Sequence, residues 1–139
     1  MNFLPFGAID IGSNAIRLLV MNAIEYPEET TFKKVSLIRI PLRLGADVFK
    51  DQEISSVKCE QLIHAMEGYQ HIMQAYNILN YRACATSAMR EAKNGPELIS
   101  EIRNKIGIDL ELITGKEEAE IILNTGVAQM LDPNKDYLY

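Results

Sequence analysis

Only three residues, Gly12, Ser13 and Asn14, separate two apolar runs near the start of the sequence, "FGAIDI" and "AIRLLVMNAI". Short apolar runs bounded by small residues are typical of β-strands. A connection this short can join only antiparallel neighbours, since a parallel pair requires a crossover of about a dozen residues or more. This feature therefore predicts that the chain begins with a β-hairpin whose turn carries small and polar residues.

A third strand and a long helix are predicted next. Over residues 32–44 the apolar alternation shifts by one position after Leu37, which predicts a strand with a β-bulge. Pro41 favours a sheet edge or that bulge, because proline cannot donate a ladder hydrogen bond. Apolar residues then recur at spacings of three and four, which predicts an amphipathic helix with Ser55 as its N-cap. The positions on its apolar face are Cys59, Leu62, Met66, Tyr69, Met73 and Tyr76.

The second half of the chain alternates strands with helices. The segments "YRACAT" and "IDLELIT" have the pattern of strands. Between them, a helix is predicted to begin near Pro96 and to end at Gly107, and a last helix covers residues 115–131. The predicted order is β-β-β-α-β-α-β-α. This order indicates a mixed α/β domain in which three antiparallel strands are followed by parallel crossovers.

Composition limits the functions that such a domain can have. The 139 residues suffice for one domain with a substantial core, and their net charge of −5 disfavours a general nucleic-acid-binding function. Every apolar run is too short for a membrane span, and the N-terminus lacks the pattern of a signal peptide, so a cytoplasmic location is expected. Cys59 and Cys84 lack the spacing of a metal site and are expected to be buried, reduced thiols.

The turn after the first strand is a candidate phosphate site. Successive backbone N–H groups around Gly12, with the Ser13 hydroxyl and the Asn14 amide, can form a concave site for an anion. Asp10 would repel phosphate unless it acts through a hydrated cation, and Mg²⁺ prefers one or two carboxylates together with phosphate oxygens. The alternative is that "DIGSN" is only a hairpin turn.

The segment "TGKEEAE", residues 114–120, is a candidate for general-base chemistry. Thr114 and Glu117 have the spacing of a capping box, in which each side chain satisfies a main-chain amide at the helix N-terminus. Glu118 points about 100° away from Glu117 and is left free to orient or deprotonate a water molecule. The alternative is that Glu118 is one of the acids that are common in first helical turns.

Basic and hydroxyl residues follow two of the predicted strands. Thr86, Ser87 and Arg90 come directly after "YRACA", where ligands of open α/β sheets tend to bind. Arg90 could contact phosphate through two hydrogen bonds, or it could form a surface ion pair with Glu97 or Glu101. Arg43, in a loop after the third strand, suggests one more basic contact.

Four segments in order resemble one known family. They are "AIDIGSNAIRLLV", "PLRLGADVF", "ATSAMREAKNG" and "LELITGKEEAEII", and together they are similar to the N-terminal half of the exopolyphosphatase and guanosine pentaphosphate phosphohydrolase (Ppx/GppA) family. The resemblance implies a ribonuclease-H-like domain of the superfold shared by actin, heat-shock chaperone ATPases and sugar kinases. It also implies Mg²⁺-dependent release of terminal phosphate from inorganic polyphosphate, guanosine pentaphosphate or both.

The resemblance assigns a role to several of these positions. It implies that residues 10–14 form the first phosphate-binding loop, that Arg90 contacts phosphate, and that Glu118 is the catalytic glutamate that activates water. In the family a second loop of the form "DxGGGS" and a second domain follow. We therefore expect residues 1–139 to form a single N-terminal domain without the second one, and this chain alone to be inactive.

Two alternative functions stay open at this point. A non-catalytic sensor could bind polyphosphate or a guanosine alarmone through the same loop, and it would have no need of Glu118. Another phosphotransferase of the superfold, such as a sugar or acetate kinase, would take its adenosine pocket from the second domain. An uncovered cleft face also favours self-association, with a homodimer as one outcome.

Overall fold

A mixed five-stranded sheet organises the computed structural model, which describes residues 2–122 and 124. The order across the sheet is β3-β2-β1-β4-β5. The strands are β1 (Asn2–Ile11), β2 (Ile16–Glu25), β3 (Thr30–Ile40), β4 (Asn80–Ala85) and β5 (Glu111–Leu112). The helices are α1 (Leu44–Asp51), α2 (Ser56–Ala75), α3 (Ser87–Glu91), α4 (Gly95–Ile106) and α5 (Gly115–Ile122).

Strand pairing confirms the predicted topology. β1 pairs antiparallel with β2, and β2 pairs antiparallel with β3. β4 pairs parallel with β1 and with β5. The predicted bulge is present, but it lies at Val35, because Val20 pairs with Ser36 while Met21 pairs with Lys34. β3 is an edge strand, and Pro41 follows it directly, as expected for a residue without an N–H group.

One face of the sheet and the apolar sides of α2 and α4 enclose the core. The sheet contributes alternate residues of β1 and β2, since a strand directs successive side chains to opposite faces. At the centre Tyr69, 1% exposed, shares its hydroxyl proton between the carbonyls of Ile16 (3.1 Å) and Ile38 (3.2 Å). The largest fully buried side chains are Tyr69, Ile11, Ile16, Leu18, Leu44, Ile54, Leu62, Met66, Met89, Leu98, Ile102 and Ile108.

The observed ends of α2 and α4 agree with the predictions made from the sequence. Ser55 caps α2 by accepting from the Lys58 N–H at 3.4 Å. α4 has Pro96 in its first turn and ends at Gly107, whose φ of 80° is the left-handed conformation that glycine adopts readily. Over the described residues, no helix combines the length and the apolar character that a membrane crossing requires.

Several predictions differ from the structure. α1 and α3 were not predicted, because they have 8 and 5 residues and are too short to show a clear period. Ile108 and Leu110 are buried, yet the last strand is only two residues long because β5 pairs solely with the end of β4. Tyr76 caps the end of α2 and is 41% exposed.

The cysteine prediction is also only partly right. Cys59 and Cys84 are free thiols, as expected, but both are half-buried. Burial raises the pKa of each thiol. The part of the last predicted helix after residue 122 lies outside the described residues, apart from residue 124.

Candidate functional site

The turn between β1 and β2 is closed by a hydrogen bond from Gly12 N to Ala15 O at 3.0 Å. A Cβ atom on Gly12 would lie 3.2 Å from the same oxygen, so glycine allows this tight closure. Within residues 2–122 and 124, the backbone N–H groups of Ser13 and Asn14 donate to no protein acceptor. These two amides therefore remain available to an anion, as the sequence predicts for a phosphate-binding loop.

Two neighbouring segments pack against this turn. Gly45 N donates to Ser13 O, and Arg43 N donates to Asn14 O, both at 2.9 Å. On the other side, the hydroxyls of Ser13 and Ser87 are 2.6 Å apart. The structure thus brings together three of the predicted segments, the hairpin turn, the loop with Arg43 and the start of α3.

Thr86 joins the ends of β1 and β4. It is 5% exposed, and both its N–H (3.1 Å) and its hydroxyl (3.3 Å) donate to the carbonyl of Ile11. The hydroxyl proton is thereby used by the main chain. Thr86 is in the predicted place, and this geometry favours a role in holding the two strand ends.

Arg90 lies on α3, and its side chain is directed to the chain before α5. Nη1 donates to the carbonyl of Ile113 at 2.6 Å, which joins α3 to the segment that leads into α5. In the described part of the chain, Arg90 forms no ion pair with Glu97 or with Glu101, and Glu101 pairs with Lys105 instead. Among the residues that the structure describes, the remaining guanidinium N–H groups have no protein acceptor.

The open face of the sheet carries a hollow of about 480 Å³ beside α5. Asp10, Thr86 and Glu118 line it, so three residues predicted from separate segments share one concavity. The other lining residues are mostly apolar, with two arginines among them: Ala8, Ile9, Arg17, Leu19, Leu37, Arg82, Cys84, Ile113 and Ile121.

Asp10 pairs with an arginine that the sequence analysis missed. Arg17 Nη1 lies 3.0 Å from Asp10 Oδ2, and each side chain is 45% exposed. The two residues are directly opposite in the β1–β2 register. The turn has four residues, 12–15, because Ile11 pairs with Ile16. The three-residue turn expected from the sequence would have placed Ile16 opposite Asp10, which is why Arg17 was not predicted. Arg82, paired with Glu111 at 3.0 Å, was also missed.

The described side chains around Asp10 could hold a cation that keeps most of its water ligands, but they could not enclose a cation with protein ligands alone. Across the described residues, no group of three or more His, Cys, Asp or Glu side chains could enclose a metal ion. In that same part of the chain, Asp10 Oδ1 has no protein hydrogen-bond partner, since Arg17 contacts only Oδ2. One free carboxylate oxygen next to a candidate phosphate site would suit Mg²⁺, which keeps several waters and phosphate oxygens in its coordination shell.

The two adjacent glutamates at the start of α5 have different surroundings. Thr114 N donates to Glu117 Oε2 at 2.7 Å, and Glu117 N donates to Thr114 Oγ1 at 3.2 Å, which confirms the predicted capping box. The hydrogen bonds from Thr114 lower the pKa of Glu117. Glu118 is half-buried and faces the hollow that Asp10 lines. Glu117 is therefore engaged by the main chain, whereas the Glu118 carboxylate has no hydrogen-bond partner among the described residues.

Comparison with known proteins places these features in a family context. The sequence profile of the Ppx/GppA phosphatase family matches residues 24–138. Exopolyphosphatase 1 of Mycobacterium tuberculosis is 28% identical over 115 residues, which are 83% of this chain and 33% of that protein. The bifunctional 3-dehydroquinate synthase/phosphatase of Fusobacterium nucleatum is 32% identical over 123 residues, 86% of this chain and 18% of that protein.

Solved structures show the same architecture. An exopolyphosphatase from Cytophaga hutchinsonii superposes with a TM-score of 0.78 at 26% identity, over 90% of this chain and 38% of that one. A Ppx/GppA family member from Aquifex aeolicus gives 0.78 at 23% identity, over 84% and 37%. The predicted fold, the ribonuclease-H-like domain of the actin-like superfold, is confirmed. The chain spans about a third of the length of Exopolyphosphatase 1 and of both structures.

Proposed function

Because the chain belongs to the Ppx/GppA phosphatase family, we propose that it is the N-terminal domain of a hydrolase that releases terminal phosphate from inorganic polyphosphate, guanosine pentaphosphate or both. The single observation that carries the proposal is the shared hollow. It is lined both by Asp10, next to the last residue of β1, and by Glu118, in the first turn of α5. The name of the mycobacterial relative, an exopolyphosphatase, supports polyphosphate as one substrate.

Residue roles follow from the surroundings of each group. The amides of Ser13 and Asn14 bind a phosphate oxygen, since they have no acceptor in the described protein. Arg43, whose backbone N–H is bonded to Asn14 O, and Arg90 would supply positive charge to the phosphate, and Ser87, whose hydroxyl is 2.6 Å from that of Ser13, would add a further donor. Glu118 orients a water molecule and accepts its proton as the water oxygen bonds to the terminal phosphorus. The bond from that phosphorus to the bridging oxygen breaks, and the shortened substrate leaves with the bridging oxygen. Such chemistry depends mainly on positioning and charge neutralisation.

Asp10 is the residue that would hold Mg²⁺, through its free Oδ1 and bridging waters. When bound there, the cation would neutralise charge that develops on the phosphate oxygens. Arg17 keeps the Asp10 carboxylate in place through its contact with Oδ2. This arrangement leaves the proton transfer to Glu118, which is on a different element of the fold.

The test compares two glutamine variants in the natural full-length protein. Glu118→Gln should lower kcat for phosphate release by about 10²-fold or more, the scale of a lost general base, with little change in KM. Glu120→Gln is the matched control, because it removes the same charge from an exposed position of the same helix. Release of phosphate from polyphosphate and from guanosine pentaphosphate is measured side by side.

Two results would contradict the proposal. A Glu118→Gln variant that loses only affinity would mark Glu118 as a binding residue. Tight binding of either substrate with no hydrolysis by the unmodified protein would instead support the sensor alternative.

We also infer that hydrolysis requires groups on both sides of the bound phosphate. Charge develops on several oxygens in the transition state, and each needs a fixed donor or a metal ion. The 139-residue chain provides one candidate phosphate loop, one arginine, Arg90, and one candidate base, Glu118. It should release phosphate at no more than a trace of the full-length rate under identical Mg²⁺ and salt. Comparable turnover by the two proteins would show that one side is sufficient.

A further inference from the structure

A half-buried ion pair, between Lys58 and Asp47, adjoins the loop that carries Arg43. Lys58 Nζ is 2.7 Å from Asp47 Oδ1 and donates a second hydrogen bond, also 2.7 Å, to the carbonyl of Arg43. Asp47 Oδ2 in turn accepts from the N–H of Ser55 at 3.0 Å. The Lys58 and Asp47 side chains are only 21% and 18% exposed, so solvent screens this pair less than a typical surface pair.

Arg43 has a backbone conformation that requires support. Its φ of 53° and ψ of 49° are left-handed, which costs a non-glycine residue about 1 kcal/mol or more. Hydrogen bonds hold the residue from both sides: its N–H donates to Asn14 O at 2.9 Å, and its carbonyl accepts from Lys58 Nζ and from Ala46 N at 3.2 Å. The contact with Lys58 is the only charged one of these three.

The Arg43 segment is also the support of the phosphate-binding turn. Besides the bond from Arg43 N to Asn14 O, Gly45 N donates to Ser13 O at 2.9 Å. A Cβ atom on Gly45 would lie 2.9 Å from the Ser13 Cβ, so only glycine lets the two segments approach this closely. Any shift of residues 43–45 would therefore displace the two residues whose amides are available to an anion.

We propose that Lys58 is a positioning residue: with Asp47 it fixes Arg43 in its left-handed conformation, and through Arg43 it fixes the turn at Ser13 and Asn14 for phosphate. The expected effect of Lys58 on hydrolysis rests on the proposed function. Two of the three donors of the Lys58 ammonium are directed to Asp47 and to the Arg43 carbonyl, so its influence on the turn passes through the backbone of Arg43. Its contribution is geometric, and Asp47 neutralises its charge locally.

The kinetic test uses three variants of the full-length protein with polyphosphate as substrate. Lys58→Met keeps the apolar stem and removes both contacts, and it should raise KM about fivefold or more while kcat stays within about twofold, since Glu118 lies on another element. Lys58→Arg can donate to both partners and should restore most of the affinity. Lys50→Met, which removes a charge from an exposed position of α1, should leave both constants unchanged.

Amide hydrogen exchange provides a readout that does not depend on activity. The Arg43 and Gly45 N–H groups are bonded to the turn, so both should exchange at least about fivefold faster in Lys58→Met than in Lys50→Met. If the unmodified protein hydrolyses no polyphosphate, the proposed function fails, while the exchange rates still decide the positioning role.

Two outcomes would overturn the inference. One is unchanged exchange at both amides in Lys58→Met. The other is a rise in KM no larger than that of Lys50→Met. Should Lys58→Met fail to fold, Asp47→Ala provides a second test, because it removes the carboxylate that holds the Lys58 ammonium against the Arg43 carbonyl. It should raise KM and amide exchange in the same direction and by less, and unchanged values would again refute the role.

Discussion

Replacing Tyr69 by phenylalanine tests how α2 is attached to the sheet. The ring is 1% exposed, and its hydroxyl is hydrogen-bonded to the carbonyls of Ile16 on β2 and Ile38 on β3. Burial raises the pKa of Tyr69 to about 12, so the hydroxyl remains a donor at every ordinary pH. Phenylalanine keeps the buried ring, and the substitution therefore isolates the hydroxyl.

The expected loss of stability follows from the two carbonyl groups that lose a donor. One neutral hydrogen bond contributes about 1 kcal/mol net, and leaving a buried carbonyl without its donor costs somewhat more. We therefore expect Tyr69→Phe to lower the free energy of unfolding by about 1–2 kcal/mol. For a domain of this size, that loss corresponds to a decrease in Tm of about 3–7 °C.

Urea unfolding followed by circular dichroism measures this loss, with Tyr76→Phe as the control. Tyr76 is 41% exposed at the end of α2, so its variant should differ from the unmodified protein by less than about 0.5 kcal/mol. A Tyr69→Phe variant as stable as the Tyr76→Phe variant would refute the reasoning, because the hydroxyl would then contribute nothing to the attachment.

Two further predictions concern stability. Gly95→Ala should destabilise the domain by about 1–3 kcal/mol in urea unfolding, because the added Cβ would lie 1.9 Å from the backbone oxygen of Met89. A Cβ on Gly68 would have no atom within 4 Å, so Gly68→Ala should stabilise α2 by about 0.5–1 kcal/mol. Equal effects of the two substitutions would contradict this reasoning. Hydrogen bonds from Lys58 and Ser55 lower the pKa of Asp47 to about 2, below its value of 3.8 when unfolded. The stability that it contributes is therefore present above pH 4 and is lost as the pH falls toward 2, so the stability difference between the unmodified protein and Asp47→Asn should shrink over that interval. A difference that stays constant from pH 5 to pH 2 would show that Asp47 has no such shift.

Features that depend on near neighbours in the chain could be predicted from the sequence. The capping box at Thr114 and Glu117 spans three residues, and the N-cap at Ser55 reaches Lys58, also three residues away. The left-handed end of α4 at Gly107 is equally local. In each case the spacing along the chain fixes the geometry, whatever the rest of the fold does.

Features that depend on distant residues could not be predicted in the same way. Arg90 donates to the carbonyl of Ile113, 23 residues later, and Thr86 Oγ1 donates to Ile11, 75 residues earlier. The sequence around Arg90 or Thr86 does not indicate which distant main-chain carbonyl its side chain will contact. α1 was missed for a related reason, because it begins after the left-handed Arg43 without a side-chain cap. The pairing of Asp10 with Arg17 is intermediate, since the hairpin register determines it.

The most direct test of the central claim is an NMR titration of the ¹⁵N-labelled 139-residue chain with tripolyphosphate and Mg²⁺. If residues 12–14 form a phosphate-binding loop, the amide signals of Ser13 and Asn14 should show the largest, saturable shifts, because their N–H groups are available to an anion. His64 on α2 and Lys105 on α4 line a separate hollow that includes none of residues 12–14, so their amide signals should not shift. Absence of saturable shifts at the turn, or equal shifts at exposed lysines across the surface, would contradict the account.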